Sequence, residues 1–67
     1  MKIREIVKRL EEAGWYEVAR VGSHRQFKHA QRLGRVTVAG RPGDDMPTGT
    51  LRSVFRQAGL EWKLRRP

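Results

Sequence analysis

The stretch "VGSHRQFKHA", residues 21–30, decides how the middle of the chain is read. Gly22-Ser23 makes a tight turn, and in "HRQFKH" successive side chains point to opposite faces of a strand. Phe27 is the apolar marker of that strand. If Phe27 points at a core, Arg25 and His29 share its side, and His24, Gln26 and Lys28 share the other.

Upstream, "WYEVARV" (15–21) is rich in aromatic and β-branched residues and is stopped by Gly22, so it reads as a strand. Its inward side is ambiguous. Tyr16 and Val18 would bring Arg20 inward, whereas Trp15, Ala19 and Val21 would bring Glu17; a bulge or an edge position reconciles the two. Downstream, "AQRLG" turns into a third strand at about residues 34 to 39. There Val36 and Val38 point one way and Arg35, Thr37 and Ala39 the other.

Helices flank these strands. Ile3, Ile6, Val7 and Leu10 recur at i, i+3, i+4 and i+7, which predicts a helix from about residue 2 to 13 ended by Gly14. After the Gly/Pro/Asp-rich loop "GRPGDDMPTG" (40–49), Leu51, Val54, Phe55 and Ala58 repeat the helical spacing. Thr48 or Thr50 is expected to cap this second helix and Gly59 to end it. The expected fold is α+β: an αβββα order with a three-stranded antiparallel sheet and both helices covering one face. One domain spans residues 1–60, and 61–67 form a short basic tail. The uncovered sheet face then presents His24, Gln26, Lys28, Arg35 and Thr37.

Sixty-seven residues allow only a modest core, so a deep active-site cavity is not expected and a large substrate lying across a surface is favoured. The formal net charge is +8, and only Lys2, Lys8, Lys28 and Lys63 among the 15 basic residues are lysines. Arginine suits bidentate phosphate contacts and stacking on bases, which puts nucleic acid ahead of an acidic protein or an anionic membrane as partner. A charge excess serving only solubility is the bland alternative. Absence of cysteine excludes disulfides and thiolate chemistry. Residues 1–9 are amphipathic and charged, unlike a signal peptide or membrane span, so a cytoplasmic location is the default. No cofactor is implied, because "GRPGDD" lacks the lysine and the strand-helix setting of a phosphate loop. Nor is a metal: His24 and His29 fall on opposite faces, and Asp44-Asp45 lies far along the chain.

Catalysis by Ser23 would need an orienting acid that no local motif supplies. RNA asks for less, since its own 2′-hydroxyl is the nucleophile and the protein need only move a proton and stabilise charge on phosphorus. His24 fits the proton transfer. Arg20, Arg25, Lys28 and Arg35 fit the phosphates, helped by the Gly22 and Ser23 amides. Against this stand plainer readings. His24 could be a turn residue bonded locally, and His29 a strand-end histidine satisfied by packing, although it could reach a phosphate from the rim. Trp15 reads as core rather than as a base-stacking platform, and Arg52 and Arg56 as a solvated helix face.

Gly22-Ser23-His24 followed by Phe27, Lys28 and His29 resembles the signature of the HicA toxin family. "IREIVKRLEEAGWYEVARV" resembles that family's first helix and strand, and "VTVAGRPGDDMPTGTLRSVFRQAGL" its third strand, loop and second helix. The likeness covers residues from about 2 to 60; its one departure, Ala30 where proline is frequent, affects a turn. The resemblance implies a double-stranded-RNA-binding-domain-like fold and an mRNA interferase, a metal-independent endoribonuclease that arrests translation and is inhibited by a HicB antitoxin. It makes His24 the catalytic residue; the expected RNA contacts, read from the residues around it, are Gly22, Ser23, Arg20, Arg25, Lys28, His29 and Arg35. Two other expectations compete with it: a non-catalytic double-stranded-RNA-binding module, and a protein-interaction module with an acidic partner.

Overall fold

The four apolar positions near the N-terminus do form one stripe. In the computed structural model, which describes residues 1–60, helix α1 (Ile3–Glu12) buries Ile3, Ile6, Val7 and Leu10. Gly14 follows with a positive φ of 98°, which lets the chain leave the helix and enter a strand at once. Three strands come next: β1 (Trp15–Val21), β2 (His24–His29) and β3 (Arg32–Ala39), paired antiparallel in the order β1-β2-β3. Helix α2 (Thr48–Ala58) closes the αβββα order, burying Leu51, Val54, Phe55 and Ala58 and stopping at Gly59 in the left-handed region.

The pairing register settles the ambiguity of β1. Glu17 pairs with Phe27 and Ala19 pairs with Gln26, so Val18 is an extra, bulged residue. Before the bulge, Trp15 and Glu17 share the side of Phe27. After it, Arg20 takes that side and Ala19 and Val21 turn to the other. Neither simple alternation holds, because a bulge shifts the alternation by one residue.

Two boundaries differ from expectation. β3 begins at Arg32 rather than near 34, because Arg32 pairs with His29 and closes the second hairpin around Ala30-Gln31. Neither Thr48 nor Thr50 caps α2: both lie within the helix, and the cap position is Pro47, with no side-chain bond. The Pro47 carbonyl accepts the first helical bond, from Leu51 N–H at 2.9 Å, in an extended conformation that proline's ring favours.

Both helices pack on one sheet face around Trp15, Phe27, Val36 and Val38, with Met46 from the preceding loop filling the same cluster. Every fully buried side chain in this core is apolar, so burial is not offset by stranded polar groups. Loop 40–47 folds back on the start of α1. The Asp44 carbonyl accepts from Ile3 N–H at 2.8 Å and the Pro42 carbonyl from Arg4 N–H at 3.0 Å, satisfying two amides that a helix start leaves open. Lys2 Nζ pairs with Asp45 at 3.4 Å. Asp45 and the Asp44 carbonyl thus serve the helix start, while the Asp44 carboxylate accepts from Arg41 N–H at 3.0 Å. No described helix is long and apolar enough to cross a membrane. Trp62, Arg65 and Arg66 of the basic tail lie outside the described residues.

Candidate nucleic-acid interface

Register determines which side chains share the uncovered sheet face. His24 opens β2, the central strand, and pairs with Val21 on one side and Ala39 on the other. Gln26 and Lys28 follow on the same face. Tyr16 lies opposite Lys28, Thr37 opposite Gln26, and the Arg35 guanidinium donates to Gln26 Oε1. His24, Lys28, Arg35 and Thr37 are exposed, and Tyr16 is half exposed. The face is therefore mixed: an apolar row from β1 (Tyr16, Ala19, Val21), then hydrogen-bonding and cationic rows from β2 and β3. Strand rise puts Lys28 about 13 Å from His24 along the backbone, so the two fit different groups of an extended substrate.

Arg20 and Arg25 do not join that face. They pair with each other across β1 and β2 on the side of Phe27. Arg20 Nε donates to Glu17 Oε2 at 2.8 Å and its Nη2 to Oε1 at 3.1 Å. This hydrogen-bonded pairing holds the Glu17 carboxyl below its ordinary pKa, with Arg25 adding to the field, and raises that of Arg20. Arg20, Gly22, Ser23, Arg25, Arg41 and Pro42 line an open concavity of about 480 Å³. The Gly22-Ser23 turn separates the two surfaces, with His24 on one side and the arginines on the other.

Within the turn, Gly22 has φ 60°, the positive value at the first loop position that a type II′ hairpin requires. A Cβ placed there would meet nothing within 4 Å, so the turn is open to close approach. The Ser23 carbonyl accepts from Gly40 N–H at 3.2 Å, while neither the Gly22 nor the Ser23 N–H has an acceptor among the described residues. That bond also brings Arg41 to the turn. Sequence reading missed Arg41, yet a signal existed: in an antiparallel meander the end of β3 must return beside the β1-β2 turn.

His29, at the far end of β2, is used differently. Its Nδ1 accepts from Gln31 N–H at 2.9 Å, so Nε2 carries the proton and donates to the Ala13 carbonyl, also at 2.9 Å. The ring meets Trp15 edge-on at 5.3 Å between centroids. Trp15 is itself core, and its indole N–H donates to the Ala58 carbonyl at 3.2 Å. His29 is thus a tie between β2, the end of α1 and the core. Arg52 and Arg56 lie on the exposed side of α2, away from the sheet.

An exposed imidazole beside open backbone amides, with amide, ammonium and guanidinium groups further along the same face, can move a proton and grip a polyanion. The family model for the HicA toxin of bacterial toxin-antitoxin systems matches residues 3–60, a span that includes every described helix and strand. No curated protein matches the chain.

Proposed function

The chain belongs to the HicA toxin family, the toxins of bacterial toxin-antitoxin pairs, and from that membership we propose that it is an mRNA interferase working without a metal in the cytoplasm. The reading is carried by one observation: His24 stands exposed on the uncovered face of the central strand, next to unfilled turn amides. In the proposed reaction the 2′-hydroxyl of a ribose attacks the adjacent phosphorus. His24 transfers the proton, as base toward that hydroxyl or as acid toward the departing 5′-oxygen. The P–O5′ bond breaks, leaving a 2′,3′-cyclic phosphate and a 5′-hydroxyl.

The Gly22 and Ser23 amides are suited to the charge that builds on the phosphorane oxygens, since an amide with no protein acceptor is not diverted from the substrate. Lys28 and Arg35 lie further along and suit neighbouring phosphates. Val21 and Ala39, the cross-strand neighbours of His24, are apolar and carry no group that could take its proton. A HicB antitoxin of complementary charge would compete with RNA for this face.

Cleavage of a long single-stranded RNA in EDTA tests the reading. The expected products carry cyclic phosphate ends, and an RNA with a single 2′-deoxyribose at the cut site stays whole there. Cutting that persists past the deoxyribose would remove the 2′-hydroxyl from the mechanism.

A further inference from the structure

The arginine concavity shares the Gly22-Ser23 turn with the His24 site, but its three arginines lie off the His24 face and the proposed reaction makes no use of them. Three arginines line it, from β1, β2 and the loop after β3. Arg20 is held by Glu17, whose carboxylate accepts from Nε and Nη2 and leaves Nη1 without a protein acceptor among the described residues. Neither Arg25 nor Arg41 forms a salt bridge among the described residues. With Glu17 counted, and with Asp44, whose Oδ2 accepts from Arg41 N–H at 3.0 Å, three positive charges still outnumber two negative ones at this open hollow. Such a surplus of planar donors is matched to an oxyanion that accepts several hydrogen bonds at once.

We propose that this concavity binds a backbone phosphate of the substrate RNA, next to the one held at His24, so that the strand crosses the Gly22-Ser23 turn from one face of the sheet to the other. The inference rests on the ribonuclease reading and adds a path to it. The turn suits that path. Gly22 offers no side chain and open space where one would stand, so a sugar-phosphate backbone can lie against the main chain. A polynucleotide supplies an anion at every residue, whereas a folded acidic partner would have to bring a carboxylate around the edge of the sheet.

The test uses the His24→Ala protein, so that RNA is bound and not cut. Fluorescein-labelled single-stranded RNA is titrated at several salt concentrations against this parent and against versions that also carry Arg41→Gln, Arg25→Gln or, as a charge-matched control on α1, Lys8→Gln. Arg41→Gln and Arg25→Gln are expected to weaken binding about three- to tenfold and to lower the salt slope by about 0.7, since one phosphate fewer is neutralised. Lys8→Gln should leave the slope unchanged. Equal effects at Lys8 and Arg41 would reduce the concavity to bulk charge and overturn the proposal. So would unchanged RNA binding with weakened binding of poly-glutamate, which would assign the pocket to protein carboxylates. A parent that fails to bind RNA, with a wild type that fails to cut it, would bring down the ribonuclease reading and the subsite together; intact cutting with an unchanged slope brings down the subsite alone.

Discussion

Strand β2 carries a histidine at each end, and the molecule uses them in opposite ways. At the turn end, His24 is exposed, flanked across the sheet by Val21 and Ala39, and its ring has no hydrogen-bond partner among the described residues. At the far end both ring nitrogens of His29 are occupied by backbone groups and the ring leans on Trp15. Parity explains the division. Phe27 must face the helices to join the core, and His29, two residues on, is carried to the same covered side. His24, three residues back, is carried to the open side. A side chain whose donors and acceptors are spent on the fold is not free for proton transfer, so the proposed chemistry is assigned to the end of the strand where the fold asks nothing of the ring.

This contrast can be broken most severely at His24. His24→Ala should lower the rate of RNA cleavage about 10²- to 10⁴-fold while leaving the melting temperature almost unchanged, as measured by a single-turnover assay beside a thermal melt. His29→Ala should do the reverse. Losing both ring bonds strands the Ala13 carbonyl and opens the Trp15 contact, costing about 1–3 kcal/mol in urea unfolding, with cleavage per folded molecule retained.

Gly14→Ala attacks the same anchor from the other side. The new Cβ would sit 2.7 Å from His29 Nε2 at a backbone φ of 98°, so a loss of about 1–2 kcal/mol is expected in the same unfolding experiment. A silent Gly14→Ala would mean that the His29 anchor yields easily. Trp15→Phe, which keeps an aromatic ring but leaves the Ala58 carbonyl without its donor, should cost about 1 kcal/mol.

The smallest effect belongs to Glu17. Its folded-state pKa is lowered, mainly by the Arg20 hydrogen bond, so its contribution is present above the ordinary carboxylate range and is lost as pH falls through the folded value. Glu17→Gln should slightly lower the neutral side of a stability-pH curve and leave its strongly acid end as it is, so that the fall between them flattens.

Periodicity made the two helices and the core partners Phe27, Val36 and Val38 legible, because helices and alternating strands signal burial through neighbours close in sequence. It also placed Gln26, Lys28, Arg35 and Thr37 with His24. What it could not place was anything beyond the bulge. Arg20 reads as a companion of His24 by its nearness in sequence, and the register puts it across the turn, beside the Arg25 that alternation already carries to the side of Phe27. The bulge at Val18 is a property of pairing with β2, and a single strand carries no record of the residue at which its partner skips. Arg41 was missed for a related reason, since its place beside Gly22 depends on where β3 ends. The start of α2 misled differently: threonine is a common cap, and here Pro47 already supplies the carbonyl and the entry angle.

One measurement tests the central claim most directly: cleavage rate and unfolding free energy for wild type, His24→Ala and His29→Ala, side by side on one RNA in EDTA. The account predicts that His24→Ala loses cleavage and keeps stability, while His29→Ala loses stability and keeps cleavage per folded molecule. Undiminished cutting by folded His24→Ala protein, or cutting abolished in folded His29→Ala protein, would contradict it.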